Sequence, residues 1–138
     1  MATLLSEIQT LLQQEEYPFL HVSATENIPY ERLIVSLGVD ENKREWKVEV
    51  TEHALPVLPK FAPSADQTLP SRIQFRLILP FKVKNSSLNE ISSLLHFLNQ
   101  SIDLPGFELD ELDGRVIYRY VWLTAPAHLD KISIITLL

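Results

Sequence analysis

A chain of 138 residues, 46% apolar and 22% charged, has the length and composition of one ordinary globular domain with a single core. Eighteen acidic against 12 basic residues give a net charge of −6, which argues against phosphate neutralisation and so against nucleic-acid binding. The absence of cysteine removes disulfides, thiolate metal sites and a thiol nucleophile.

The opening stretch MATLLSEIQTLLQQEE carries glutamates among its leucines and lacks the basic start and unbroken apolar core of a signal peptide. No apolar run is long enough to span a bilayer, so no membrane insertion is expected and a cytoplasmic protein is the simplest reading. Leu4, Leu5, Ile8, Leu11 and Leu12 share one face of a predicted helix over residues 3–15. Residues 19–24 read as a short strand, ENIPY as a turn broken at Pro29, and residues 33–39 as an apolar strand. After a polar turn at 40–44, Trp46, Val48 and Val50 alternate with Lys47, Glu49 and Thr51, the pattern of a half-buried strand. Residues 53–70 hold four prolines and no periodicity, which predicts a long proline-rich loop. Ile73, Phe75, Leu77 and Leu79 then alternate with Arg72, Gln74 and Arg76 as a fourth strand that stops near Pro80 or shortly after Val83.

A second helix is predicted where Ser87 and Glu90 form an S-x-x-E capping box and Leu88, Ile91, Leu95, Leu98 and Ile102 recur at helical spacing. Pro105 and Gly106 end it. Residues 104–123, LPGFELDELDGRVIYRYVWL, predict a hairpin closed by a two-residue type I′ turn at Asp113-Gly114. That turn sets Leu112 opposite Arg115, Glu108 opposite Arg119, Leu109 opposite Tyr118 and Phe107 opposite Tyr120. Beyond Pro126, the spacing of Leu129, Ile132, Ile135 and Leu138 suggests a last helix, against the preference of its β-branched residues. The chain stops on the apolar run ISIITLL, so either this tail is buried or the natural chain continues past Leu138.

Catalytic signatures are missing: there is no H-E-x-x-H, G-x-S-x-G, Walker A or G-x-G-x-x-G. The three glycines, Gly38, Gly106 and Gly114, are explained by strand ends and turns. His21, His53, His96 and His128 are scattered, with no i, i+4 pair of the kind that binds metal on a helix. Glu108, Asp110, Glu111 and Asp113 could hold a hard cation, but Arg115 and Arg119 across the strand account for them better. Tyr118, Tyr120 and Trp122 could stack on bases or sugars; packing on the Leu95 helix explains them more simply. No catalytic, cofactor or metal residue is therefore assigned.

A capped amphipathic helix, the turn LPGF, the hairpin around ELDG and then RYVWL together resemble the YbjN-type family over residues 87–129. The resemblance implies a type III secretion chaperone-like fold. The predicted order is helix, four strands, helix, two strands, helix in one domain over residues 1–138, which is α+β. It follows the chaperone order of helix, antiparallel meander of three strands, helix, β-hairpin and helix, with the short strand at 19–24 as a surplus lead-in or edge strand. What the resemblance implies is a bacterial, non-enzymatic protein that binds another polypeptide, a homodimer holding an extended segment of a secreted client. The alternative is a YbjN-type regulatory or structural scaffold with no secretion client. An enzyme or small-ligand binder would need a deep pocket with convergent polar groups. Candidate protein-binding or dimer residues are Ile117, Val121 and Leu123, on the hairpin face opposite Tyr118 and Tyr120, and Ile134 and Leu137 on the last helix.

Overall fold

Helix α1 (Leu4–Gln14) forms where the leucine stripe predicts it, and its ends show why it starts and stops. The Thr3 hydroxyl accepts the Ser6 N–H at 3.1 Å, an N-cap that satisfies one of the orphan donors of the first turn. At the other end Glu16 takes a left-handed φ of 59°, and the Tyr17 N–H reaches back to the Leu12 carbonyl at 2.9 Å. This is a Schellman ending built on a glutamate where glycine is usual. Leu4, Ile8 and Leu12 are fully buried.

The computed structural model describes residues 3–54, 71–103 and 106–124. After α1 come β1 (Phe19–Val22), β2 (Arg32–Val39), β3 (Glu45–Ala54), β4 (Ser71–Lys82), α2 (Leu88–Ser101), β5 (Phe107–Leu109) and β6 (Arg115–Thr124). The strands form one antiparallel sheet in the order β1-β2-β3-β4-β6-β5. Alternation sends Leu33, Val35, Val48, Val50, Ile73 and Phe75 to the face that α1 covers, and these residues form the core with the helix. The Glu52 carboxylate, on the same face, accepts the Leu5 N–H at 3.0 Å and so helps anchor the helix start. Pro80 lies where the β4–β6 register shifts between Ile78 and Lys82, a place where its missing N–H breaks no regular ladder.

The α+β class is the predicted one, but the strand count is not that of the chaperone arrangement. The first block is a four-stranded meander, because Phe19–Val22 is a paired edge strand along β2 and not a lead-in. β3 also runs on through His53 and Ala54, so the proline-rich segment starts later than predicted. The rest of that segment and the last helix, with Ile134 and Leu137, lie outside the described residues.

Two local expectations are corrected. The Ser87 side chain makes no capping hydrogen bond: a 3-10 turn over Asn85–Ser87 feeds α2, leaving Ser87 at φ −110° and ψ 2°, outside the extended conformation an N-cap needs. The hairpin register is Phe107 opposite Tyr118, Glu108 opposite Ile117 and Leu109 opposite Val116, two residues away from the predicted pairing. Its turn is longer than a type I′ turn. The Asp110 carbonyl accepts the Gly114 N–H at 2.8 Å, and the Asp110 N–H donates to the Arg115 carbonyl at 2.9 Å. Only Gly114 of the Asp-Gly pair has positive φ, at 74°, and a Cβ there would collide with the Val83 carbonyl.

Candidate functional site

A sheet offers a polypeptide two kinds of surface, its faces and its edges, and the two edges of this sheet are built differently. In an antiparallel ladder, hydrogen-bonded and non-bonded pairs alternate, so every second residue of an edge strand aims its N–H and C=O away from the sheet.

At the β5 edge, Gly106 and Arg119 exchange both backbone hydrogen bonds, at 2.9 and 3.1 Å. Phe107 is then a non-bonded position, and its backbone groups face outward. The Asn99 side chain of α2 meets both: Phe107 N–H donates to Asn99 Oδ1 at 2.6 Å, and Asn99 Nδ2 donates to the Phe107 carbonyl at 2.8 Å. One carboxamide thus stands in for the next strand. Between α2 and β5 remains a shallow cleft of about 220 Å³, bordered by Leu95, His96, Asn99 and Leu109.

At the β1 edge, the Ser36 N–H donates to the Pro18 carbonyl at 2.9 Å. Alternation makes Leu20–Ile34 and Val22–Arg32 the next bonded pairs and turns the backbone groups of Phe19 and His21 outward. Among the described residues nothing pairs with them. Leu20, between them, is 63% exposed. It borders a groove of about 270 Å³ whose walls include Pro18, Ile34, Ser36 and Lys47.

The sheet face away from α1 is charged at its centre. Glu49, only 8% exposed, lies between Arg32 and Arg76, whose guanidinium nitrogens approach it at 3.6 and 3.5 Å. Thr51 is buried beside it, and Arg32 Nε has no hydrogen-bond partner. This arrangement holds a buried carboxylate by pairing it with two guanidinium groups.

Three of the four acidic residues of the hairpin, Glu108, Asp110 and Asp113, are engaged by its own arginines and turn. Glu108 reaches diagonally to Arg119 at 2.8 Å, although Ile117 is its register partner, and Asp113 pairs with Arg115 at 2.6 Å. The Arg115 backbone N–H, bonded to the Asp113 carboxylate, holds that carboxyl below its usual range. The β2–β3 turn is locked in the same way: the Arg44 backbone N–H is the main cause that lowers Asp40 to about 2, with further bonds from the Trp46 indole, the Arg44 guanidinium and the Asn42 N–H. His21 lies near Glu31, His53 near Thr51 and Tyr30, and His96 near Gln100, each on a separate element. Among the described residues no three His, Asp or Glu side chains gather as a metal site.

No family model and no curated protein matches the chain. Among the described residues no helix is long and apolar enough to cross a membrane. The aromatic stripe sits on a core face, but under α1 where the sequence predicts the Leu95 helix: Tyr120 and Trp122 pack against the α1 core, and Tyr118 meets Phe107 edge-on at 5.1 Å. Of the candidate docking residues, Ile117 is 6% exposed and already buried within the chain, Val121 is half-buried and Leu123 is 61% exposed. Leu94 and Phe97 of α2 are exposed and escaped the sequence reading, although their i, i+3 spacing off the Leu88, Ile91, Leu95, Leu98 stripe was there to be read.

Proposed function

We propose that this chain is a non-enzymatic polypeptide-binding protein of the secretion-chaperone-like kind, which receives an extended client segment along the edge of β1. The observation that carries the reading is the outward-facing backbone of Phe19 and His21 around exposed Leu20, on an edge that no described residue covers. Strand addition supplies affinity through main-chain hydrogen bonds and specificity through pockets for alternate side chains, and the groove beside Leu20 is one such pocket. The opposite edge supports the reading by contrast, since Asn99 denies the outward groups of Phe107 to any incoming strand. Amide exchange resolved by residue, with and without a panel of ten-residue peptides carrying an apolar residue at every second position, tests it. Slowed exchange at Phe19 and His21 with at least one peptide is expected. No change at either amide across the panel contradicts it.

A second reading, a YbjN-type scaffold without a secretion client, draws on the outer face of α2. Phe97 is 63% exposed next to exposed Leu94, an apolar strip that suits a second copy of the chain. Light scattering across a concentration series, read beside the peptide panel, checks this: a dimer that Phe97→Glu dissociates, and in which no peptide protects Phe19 or His21, favours the scaffold, and a monomer throughout removes it.

A further inference from the structure

We infer that the strand received by β1 is basic as well as apolar, its cationic side chains on the α1 side of the sheet and its apolar ones on the opposite side. The inference rests on the strand-addition reading above and specifies its partner. Residues 3–31, which hold α1, β1 and the loop after it, contain Glu7, Glu15, Glu16, Glu26 and Glu31 and no Lys or Arg. The first cation, Arg32, is directed to Glu49 on the far face.

The carboxylates bracket the edge. Glu16 stands before the Phe19 end, bordering a surface groove with Tyr17 and Pro18, and Glu31 stands at the Val22 end, where its carboxylate lies 3.5 Å from His21 Nε2. A four-residue strand is roughly 10 Å long, so a partner strand along β1 lies within about one Debye length of both ends at physiological salt. By alternation Phe19, His21 and Leu33 belong to the α1 side, and Leu20 and Ile34 to the other; Glu31 joins the first set through its contact with His21. An added strand shares this alternation: one set of its side chains meets Leu20 and the groove beside Ile34, where Glu45 is held by Lys47, and the other set meets the side of His21 and Glu31. Lys47 is the cation bordering that groove, and it is paired with Glu45 at 3.4 Å. Charge complementarity therefore selects an alternating basic and apolar segment.

Two ten-residue peptides test this, one alternating Val with Lys and one alternating Val with Glu, each ending in proline to hinder self-pairing. Binding is measured by fluorescence anisotropy at low and high salt. The Lys peptide is expected to bind about tenfold or more tightly than the Glu peptide at low salt, the sum of a few exposed charge contacts, and to lose that margin as salt rises. In the Glu16→Lys, Glu31→Lys double variant the preference reverses. His21→Pro removes an outward N–H without touching the ladder and should abolish binding of both peptides. Of two Lys peptides, one N-methylated at every Lys and one at every Val, the one whose methyl groups replace the N–H groups facing β1 should fail on the unaltered protein, which gives the same test without relying on a variant that folds. Equal affinity for the two peptides, with binding still lost on N-methylation, overturns the charge inference and leaves the edge reading standing. Binding indifferent to N-methylation overturns both, and no binding of either peptide overturns the charge inference, the edge reading then resting on the wider peptide panel.

Discussion

β1 and β5 terminate the same sheet, yet among the described residues only the β5 edge has its outward backbone groups met by a side chain. Both are short, and both turn backbone groups outward at alternate positions. The difference is one side chain: Asn99 offers Phe107 a donor and an acceptor at the spacing of a neighbouring strand, and nothing described does so for Phe19 or His21. Exposed edges invite pairing with other chains, so of the two opposite edges it is β1 that the proposed partner strand would extend.

Loosening α2 should undo the closed edge most severely. Leu95 is the buried residue that ties the helix to the sheet, so Leu95→Ala should cost about 2–4 kcal/mol in urea unfolding and also unprotect the Phe107 amide. Next comes Asn99→Ala, which leaves two backbone groups of Phe107 without partners. About 1–3 kcal/mol is expected, and the altered protein should acquire a second peptide-binding edge, visible as a doubled stoichiometry in calorimetry. His21→Pro should change stability by less than about 1 kcal/mol, because the lost N–H bonds only to solvent, while removing peptide binding.

The smallest effect is confined to acid. Asp40 has a folded-state pKa of about 2 against an ordinary 3.8, so its contribution is present above pH 4 and is lost as pH falls towards 2. Asp113, also lowered, acts in the same direction at the β5–β6 turn. Asp40→Asn should flatten the acid limb of a thermal-stability profile below pH 4 without altering either edge. A change in peptide binding in this variant would mean that the β2–β3 turn and the β1 edge are coupled.

Periodicity made α1, β3 and β4 legible, because their burial is decided by which residues face α1. The hairpin register was misread for an identifiable reason. Asp113-Gly114 has the composition of a two-residue turn, but Asp110 closes the loop three residues earlier, with its carboxylate accepting the Leu112 N–H at 2.9 Å and its carbonyl the Gly114 N–H at 2.8 Å. A sequence does not show which of two aspartates will organise the turn. Ser87 failed as a cap because the preceding 3-10 turn changed its backbone conformation. Asn99 was invisible for a different reason: on a helix it reads as one more polar residue, and its meaning comes from the strand eight residues later. The open edge was hidden likewise, since residues 19–24 read equally as a lead-in, and only the pairing of Phe19–Val22 with β2 makes an edge.

The most direct measurement is residue-resolved amide exchange of Phe19, His21 and Phe107 by NMR, first on the free protein and then with the Val–Lys peptide. In the free protein, Phe107 should be protected and Phe19 and His21 should exchange freely; with peptide, Phe19 and His21 should become protected and Phe107 should not change. Protection of Phe19 and His21 in the free protein would show the edge already occupied. Free exchange at both with the peptide bound would show that the strand goes elsewhere, and either result would contradict the account.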